Sequence, residues 1–254
     1  MTATGSVPGK QAPPGNTEQA LRLLTLIMLT GVGGFIDAVS YLGLGRVFTA
    51  AMTGNSILLA LAVVQLDGGS ALRSSIALIG FVCGVAMGEA VSGRAEARPG
   101  WPSAVGAGLG LEVFVLSAAA WGWHVAGPQQ TGLQQHLLIA LSAAAMGIQS
   151  VTARQLGVAA VTTTYVTGTV TSLTSGAVTW LRRPEPGRRQ SAEQAATRSD
   201  SAVVHGPALP ALAWAVYVVG ALAGGLVVLT APSLAPLPAL AVLALLLVAI
   251  RCAR

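Results

Sequence analysis

Polar side chains able to bind or coordinate a solute are few in this chain, and most fall in two look-alike stretches about 113 residues apart. The first holds Asp37 and then Phe48-Thr49-Ala50-Ala51-Met52-Thr53-Gly54-Asn55-Ser56; the second holds Gln149 and Ser150 and then Thr162-Thr163-Thr164-Tyr165-Val166-Thr167-Gly168-Thr169. In both, a β-branched, Thr-rich run leads to Thr-Gly-(Asn/Thr), and an apolar helical run follows. A helix that starts there offers free backbone N–H groups and a partial positive charge, which suit an anionic or polar group. The hydroxyls of Thr49, Thr53, Thr163, Thr167 and Thr169 and the Asn55 amide can complete such a site, with Gly54 and Gly168 allowing close approach. The plainer alternative is that these residues only cap helices and permit packing.

Two acids stand inside apolar sequence. Asp37 lies about five residues from the end of the first apolar run, and Glu112 sits in the middle of the fourth. An ionisable group in a span is costly and is a candidate proton or cation site. Against that, Asp37 can simply tie down nearby backbone, and Glu112 can be a neutral, hydrogen-bonded acid.

The elements that must position these residues belong to a membrane protein. Of 254 residues 53% are hydrophobic and 9% charged, with a mean hydropathy of +0.69, whereas soluble domains carry about 25% charged residues. The net charge of +5 comes from arginines at the ends of apolar runs, where they act as topology signals rather than a nucleic-acid surface. Two cysteines, Cys83 and Cys252, imply neither a disulfide framework nor a metal cluster. His124 and His136 lack partners at metal-ligand spacing. No metal or cofactor is expected, and no hydrolase, Walker or paired-acid motif points to an enzyme.

Eight apolar segments are expected, at roughly 21–42, 47–66, 73–92, 101–126, 133–153, 158–181, 208–230 and 234–250, separated by Gly- and Pro-rich breaks. Residues 1–18 read as a disordered cytoplasmic tail, and 182–207 as a flexible cytoplasmic loop. Segments 47–66 and 158–181 begin in poor helix formers, and good helix follows only after Gly54 and Gly168. Those helices are too short for the ~30 Å hydrocarbon core. Both segments are therefore expected to re-enter, as a strand going in and a half-helix coming back. With both ends cytoplasmic, six true spans leave only Arg46 and Arg73 outside against twelve Lys/Arg inside; eight spans would give ten against four. The six-span arrangement fits the positive-inside rule better.

Three spans and one re-entrant segment per half make the halves, 19–127 and 132–251, inverted repeats. Gly80-x-x-x-Gly84-x-x-x-Gly88 aligns with Gly220-x-x-x-Gly224, at an offset of 136. These stripes mark close helix contacts, within the chain or in a homo-oligomer. The expected fold is thus an all-α integral membrane protein of six transmembrane helices and two re-entrant strand/half-helix segments. Glu89 is expected to pair with Arg94 at a cytoplasmic end, and the tryptophans to form interfacial belts.

The run Gly34-Phe35-Ile36-Asp37-Ala38-Val39-Ser40-Tyr41, with Phe48-Thr49-Ala50-Ala51-Met52-Thr53-Gly54-Asn55, resembles the signature of the YoaK-like family of uncharacterised bacterial membrane proteins. Ala51 departs from the Asn expected there. The resemblance implies a multi-pass inner-membrane protein without an established activity. Two functions compete. One is a secondary transporter or permease that binds a small polar or anionic solute between two half-helix N-termini, with Asp37 coupling a proton. The other is a non-transporting scaffold or sensor assembled through the glycine stripes. The bilayer is the expected partner in either case.

Overall fold

A computed structural model describes residues 16–93, 103–127, 131–156 and 208–252. They form helices α1 (Asn16–Gly43), α2 (Met52–Val64), α3 (Gly68–Ser92), α4 (Ser103–Ala126), α5 (Gly132–Gln155), α6 (Ala208–Thr230) and α7 (Leu237–Cys252), with a 3-10 turn at Pro232–Leu234 before α7. Six of these are long and apolar enough to cross a membrane; α2, with 13 residues, is not. The chain is a multi-pass membrane protein, and its long helices follow the expected spans to within a few residues. The second Thr-rich segment, 158–181, lies outside the described residues.

Among the described residues there is no strand. The entry into α2, expected as extended strand, is instead a chain of turns and bends over 44–51. β-Branched residues favour a strand only where a neighbouring strand takes up the backbone hydrogen bonds. Here side chains take them up.

Contacts at the helix ends fix the directions of the helices. α1 closes with a 6→1 bond from Arg46 N–H to Tyr41 O, and Gly45 takes the positive φ (85°) that this cap needs. Arg73 Nε then donates to Gly45 O at 3.1 Å, which sets the start of α3 beside the end of α1. Trp123, near the end of α4, abuts Gly43 and donates its indole N–H to Pro232 O at 2.9 Å. At the opposite end Glu89 of α3 pairs with Arg154 of α5 at 3.1 Å. Hence α1, α4 and α6 run one way, and α3, α5 and α7 run the other. The partner of Glu89 is Arg154 rather than the expected Arg94, which is outside the described residues. Both groups are more than half exposed, so the pair adds little stability.

Two helix pairs make the most extensive contacts, α1 with α6 and α3 with α5. Their closeness comes from glycine. A Cβ on Gly34 would overlap Tyr217 O, one on Gly220 would overlap Gly31 O, and one on Gly224 would overlap Phe35 O. In the other pair, a Cβ on Gly147 would overlap Phe81 O, and one on Gly84 would overlap Ala144 O. Backbone-to-backbone approach of this kind is how membrane helices associate when burial of apolar surface offers no net drive. Trp123, expected in an interfacial belt, is buried with its indole N–H bonded to Pro232 O, whereas Trp121 and Trp214 are exposed.

Candidate functional site

Asp37 is 2% exposed and sits on the face of α1 that meets the irregular 44–51 stretch. Its Oδ1 accepts the backbone N–H groups of Thr49 at 2.8 Å, Ala50 at 2.7 Å and Ala51 at 3.3 Å. Its Oδ2 accepts the Tyr217 hydroxyl, from α6, at 2.7 Å. Three converging amides are the kind of nest that ordinarily captures an external anion. In this fold the anion is supplied internally. A carboxylate with four donors is tolerated where an unpaired one is not.

The rest of the stretch is satisfied in the same way. Asn55, fully buried in the first turn of α2, accepts the Phe48 N–H through Oδ1 at 2.9 Å and donates through Nδ2 to Phe48 O. It thereby imitates the double bond of a strand pair with one side chain. The Thr49 hydroxyl lies 3.3 Å from that of Ser40, which also donates to Ile36 O. The Phe48 ring stacks on Tyr41, with centroids 5.0 Å apart, and lies where a Cβ on Gly54 would fall, at 2.9 Å. Gly54 is therefore needed to let Phe48 lie flat over the start of α2. Thr53, by contrast, is exposed.

Around the corner, α2 ends in a second 6→1 turn, Asp67 N–H to Ala62 O, with Leu66 at φ 57°. Asp67 then caps α3 by accepting Ser70 N–H at 3.0 Å and the Ser70 hydroxyl at 2.6 Å. These bonds hold its carboxyl below the usual range, 3.8 for an unperturbed aspartate.

Of the remaining candidates, Gln149 and Glu112 come to one level of the bundle. Gln149 donates Nε2–H to Leu29 O at 2.9 Å, while its Oε1 is buried with no donor. Glu112 is 0% exposed, and among the described residues neither carboxyl oxygen has a hydrogen-bond partner. Ser150, half-buried, bonds back to Met146 O at 3.0 Å. Thr163, Thr167, Gly168 and Thr169 lie outside the described residues. Among the described residues no group of three or more His, Cys, Asp or Glu side chains could hold a metal ion. Tyr217 is the functional residue that sequence reasoning missed. It lies 180 residues from its partner, and its only signal is its place three residues before Gly220.

A family model described as "Protein of unknown function (DUF1275)" matches residues 25–250. The chain is 42% identical over 151 residues to "UPF0700 transmembrane protein YoaK" of Bacillus subtilis (strain 168); the match covers 59% of this chain and 64% of that relative. The chain thus spans just under two thirds of the relative's length. No solved structure matches.

Proposed function

From the premise that the chain belongs to the DUF1275 family of transmembrane proteins, we propose that it is a secondary transporter of a small polar or anionic solute, built as two inverted repeats. The observation that carries this reading is the reciprocity of the two glycine-packed helix pairs. Moving α1 contacts forward by 113 and α6 contacts back by 136 turns Gly34–Tyr217 into Gly147–Phe81, and Gly220–Gly31 into Gly84–Ala144. The same shift turns Gly224–Phe35 into Gly88–Ile148, which also touch. The two offsets were set by sequence similarity alone, so the agreement of three separate contacts supports a common ancestral unit. One unit enters the membrane from each side, because each holds an odd number of long helices.

Within the first repeat, residues 44–67 act as a re-entrant arm. Arg73 on Gly45 keeps the start of α3 beside the end of α1, so the intervening chain enters and leaves by one face. Thr49 to Ala51 reach down to Asp37, six residues inside α1, or about 9 Å below its end. α2 then climbs back over about 20 Å. Non-helical backbone at that depth is tolerated only when protein buries it or it lines a cavity. Asp37, Tyr217 and Asn55 act as positioning residues for this arm. Thr53, exposed at the foot of α2, is the group left to meet solute, and Arg46 and Arg73 at the mouth favour an anionic one. Both termini face the cytoplasm, and no catalysis is assigned.

The scaffold reading loses its main support, because Gly80, Gly84, Gly88, Gly220 and Gly224 are occupied by contacts inside the chain. To test the proposal, purified protein is screened by thermal shift against small polar and anionic solutes, and each hit is measured for flux in proteoliposomes. Flux that Gly54→Leu abolishes, while the variant still folds, is the expected result. Stabilising solutes that never cross would overturn it.

A further inference from the structure

We infer that Glu112 is a proton-binding site: its carboxylic O–H donates to Gln149 Oε1, and the proposed transport cycle loads and unloads this proton. The cycle part of the inference rests on the transporter reading; the binding site does not.

Register is the first observation. α4 and α5 run antiparallel, with Gly108 against Thr152 near one end and Gly122 against Leu138 near the other. Between these points the facing stripe on α4 runs through Glu112, Leu116 and Ala119, and that on α5 through Gln149, Ala145 and Ser142. Leu116, Ala119 and Ser142 do line one small void together. Glu112 and Gln149 are therefore opposite each other in neighbouring stripes.

Unmet hydrogen-bonding capacity is the second. This level holds three buried acceptor atoms without a donor, namely Glu112 Oε1 and Oε2 and Gln149 Oε1. The Gln149 amide cannot be turned to help, because its Nε2 is committed to Leu29 O. A bare carboxylate in such a place costs far more than a hydrogen bond returns. One proton repairs the whole set, since it makes Glu112 a donor as well as an acceptor. A metal cation would want about six oxygen ligands, and among the described residues no side-chain cluster at this level supplies them.

Among the described residues no nearby charge offers an alternative. On the α5 stripe opposite α4, Gln149 and Thr152 are both neutral. α7 is apolar until Arg251 in its last turn. On α3, Cys83 is exposed and Glu89 is paired with Arg154. On α4 itself, His124 is three turns away. On α1, Asp37 lies one layer above, with its oxygens filled by Tyr217 and the 49–51 amides. The two carboxyls are thus at different levels, about 7 Å apart in height by helical rise.

The test is infrared spectroscopy of the full chain in lipid at neutral pH, reading the C=O stretch of a protonated carboxyl. The wild type is expected to show this band, Glu112→Gln to lose it, Asp37→Asn to keep it, and Gln149→Leu to shift it to higher frequency. Transfer to D2O is expected to move the band within the time of buffer exchange, as a proton in communication with water requires. No band in the wild type, a band that survives Glu112→Gln, or a band that appears only when sodium is replaced by a bulky cation would overturn the proton site. A band that never exchanges would leave a sealed structural acid and overturn its part in a cycle. None of these results depends on measuring flux, so the transporter reading stands or falls separately.

Discussion

The two acids buried in this bundle, Asp37 and Glu112, are equally hidden and oppositely treated. Asp37 receives three backbone N–H groups and a phenol, and holds an irregular stretch of chain against α1. Among the described residues Glu112 receives nothing, and the Gln149 amide oxygen at the same level of the bundle also receives nothing. Folding saturates the first and leaves the second to be completed from solution. Burial alone therefore does not tell a working acid from a structural one. The count of donors does.

Mutations at the two sites should separate accordingly. The largest effect is expected from Asp37→Ala, which strands three amides and the Tyr217 hydroxyl, each unmet group costing about 1–3 kcal/mol. Thermal unfolding of purified protein should register a loss of several kcal/mol, with protease sensitivity concentrated at 44–51. Asp37→Asn keeps an acceptor for the amides and should lose less than half as much; an equal loss would mean that the charge, not the hydrogen bonding, holds the arm. Tyr217→Phe removes a single donor to a carboxylate and should cost about 1.5–3 kcal/mol. Asp67→Ala, which removes an exposed cap, should cost less than either. Its contribution is present above the ordinary aspartate range and fades as pH falls through its lowered value, so wild type and variant should converge in acid. The smallest effect is expected at Glu112: Glu112→Gln puts an amide donor opposite Gln149 and should leave the unfolding midpoint unchanged or slightly raised. A large loss there would show that Glu112 is a structural acid like Asp37.

How much of this was legible in the sequence follows from range. Six long helices were readable because hydropathy and Gly/Pro breaks are local signals. The glycine stripes at Gly84 and Gly220 were readable as close helix contacts because small residues at four-residue spacing are a local signal, and both glycines lie against backbone carbonyls. The Asp37 clamp was only half readable. An acid inside a span announces itself, but nothing near it says whether it will meet a ligand or three amides 12 to 14 residues later. Tyr217 was invisible, since a tyrosine in an apolar run carries no mark of its partner. The expected strand failed for a related reason: Val47, Phe48 and Thr49 have strand-like side chains, but Asn55 and Asp37 supply the hydrogen bonds that a second strand would have given. The missing donor at Glu112 was likewise unreadable, because it depends on Gln149 turning its own donor toward α1.

The proposed transporter requires the arm 44–67 to enter and leave by one face of the membrane. Single cysteines at Arg46, Ser70 and Ser92, in a background with Cys83 and Cys252 replaced by alanine, test this directly with a membrane-impermeant maleimide. Positions 46 and 70 should react from the same side and position 92 from the other. Labelling of 46 and 92 from one side, with 70 from the opposite side, would mean that α2 crosses the bilayer and that no re-entrant arm exists.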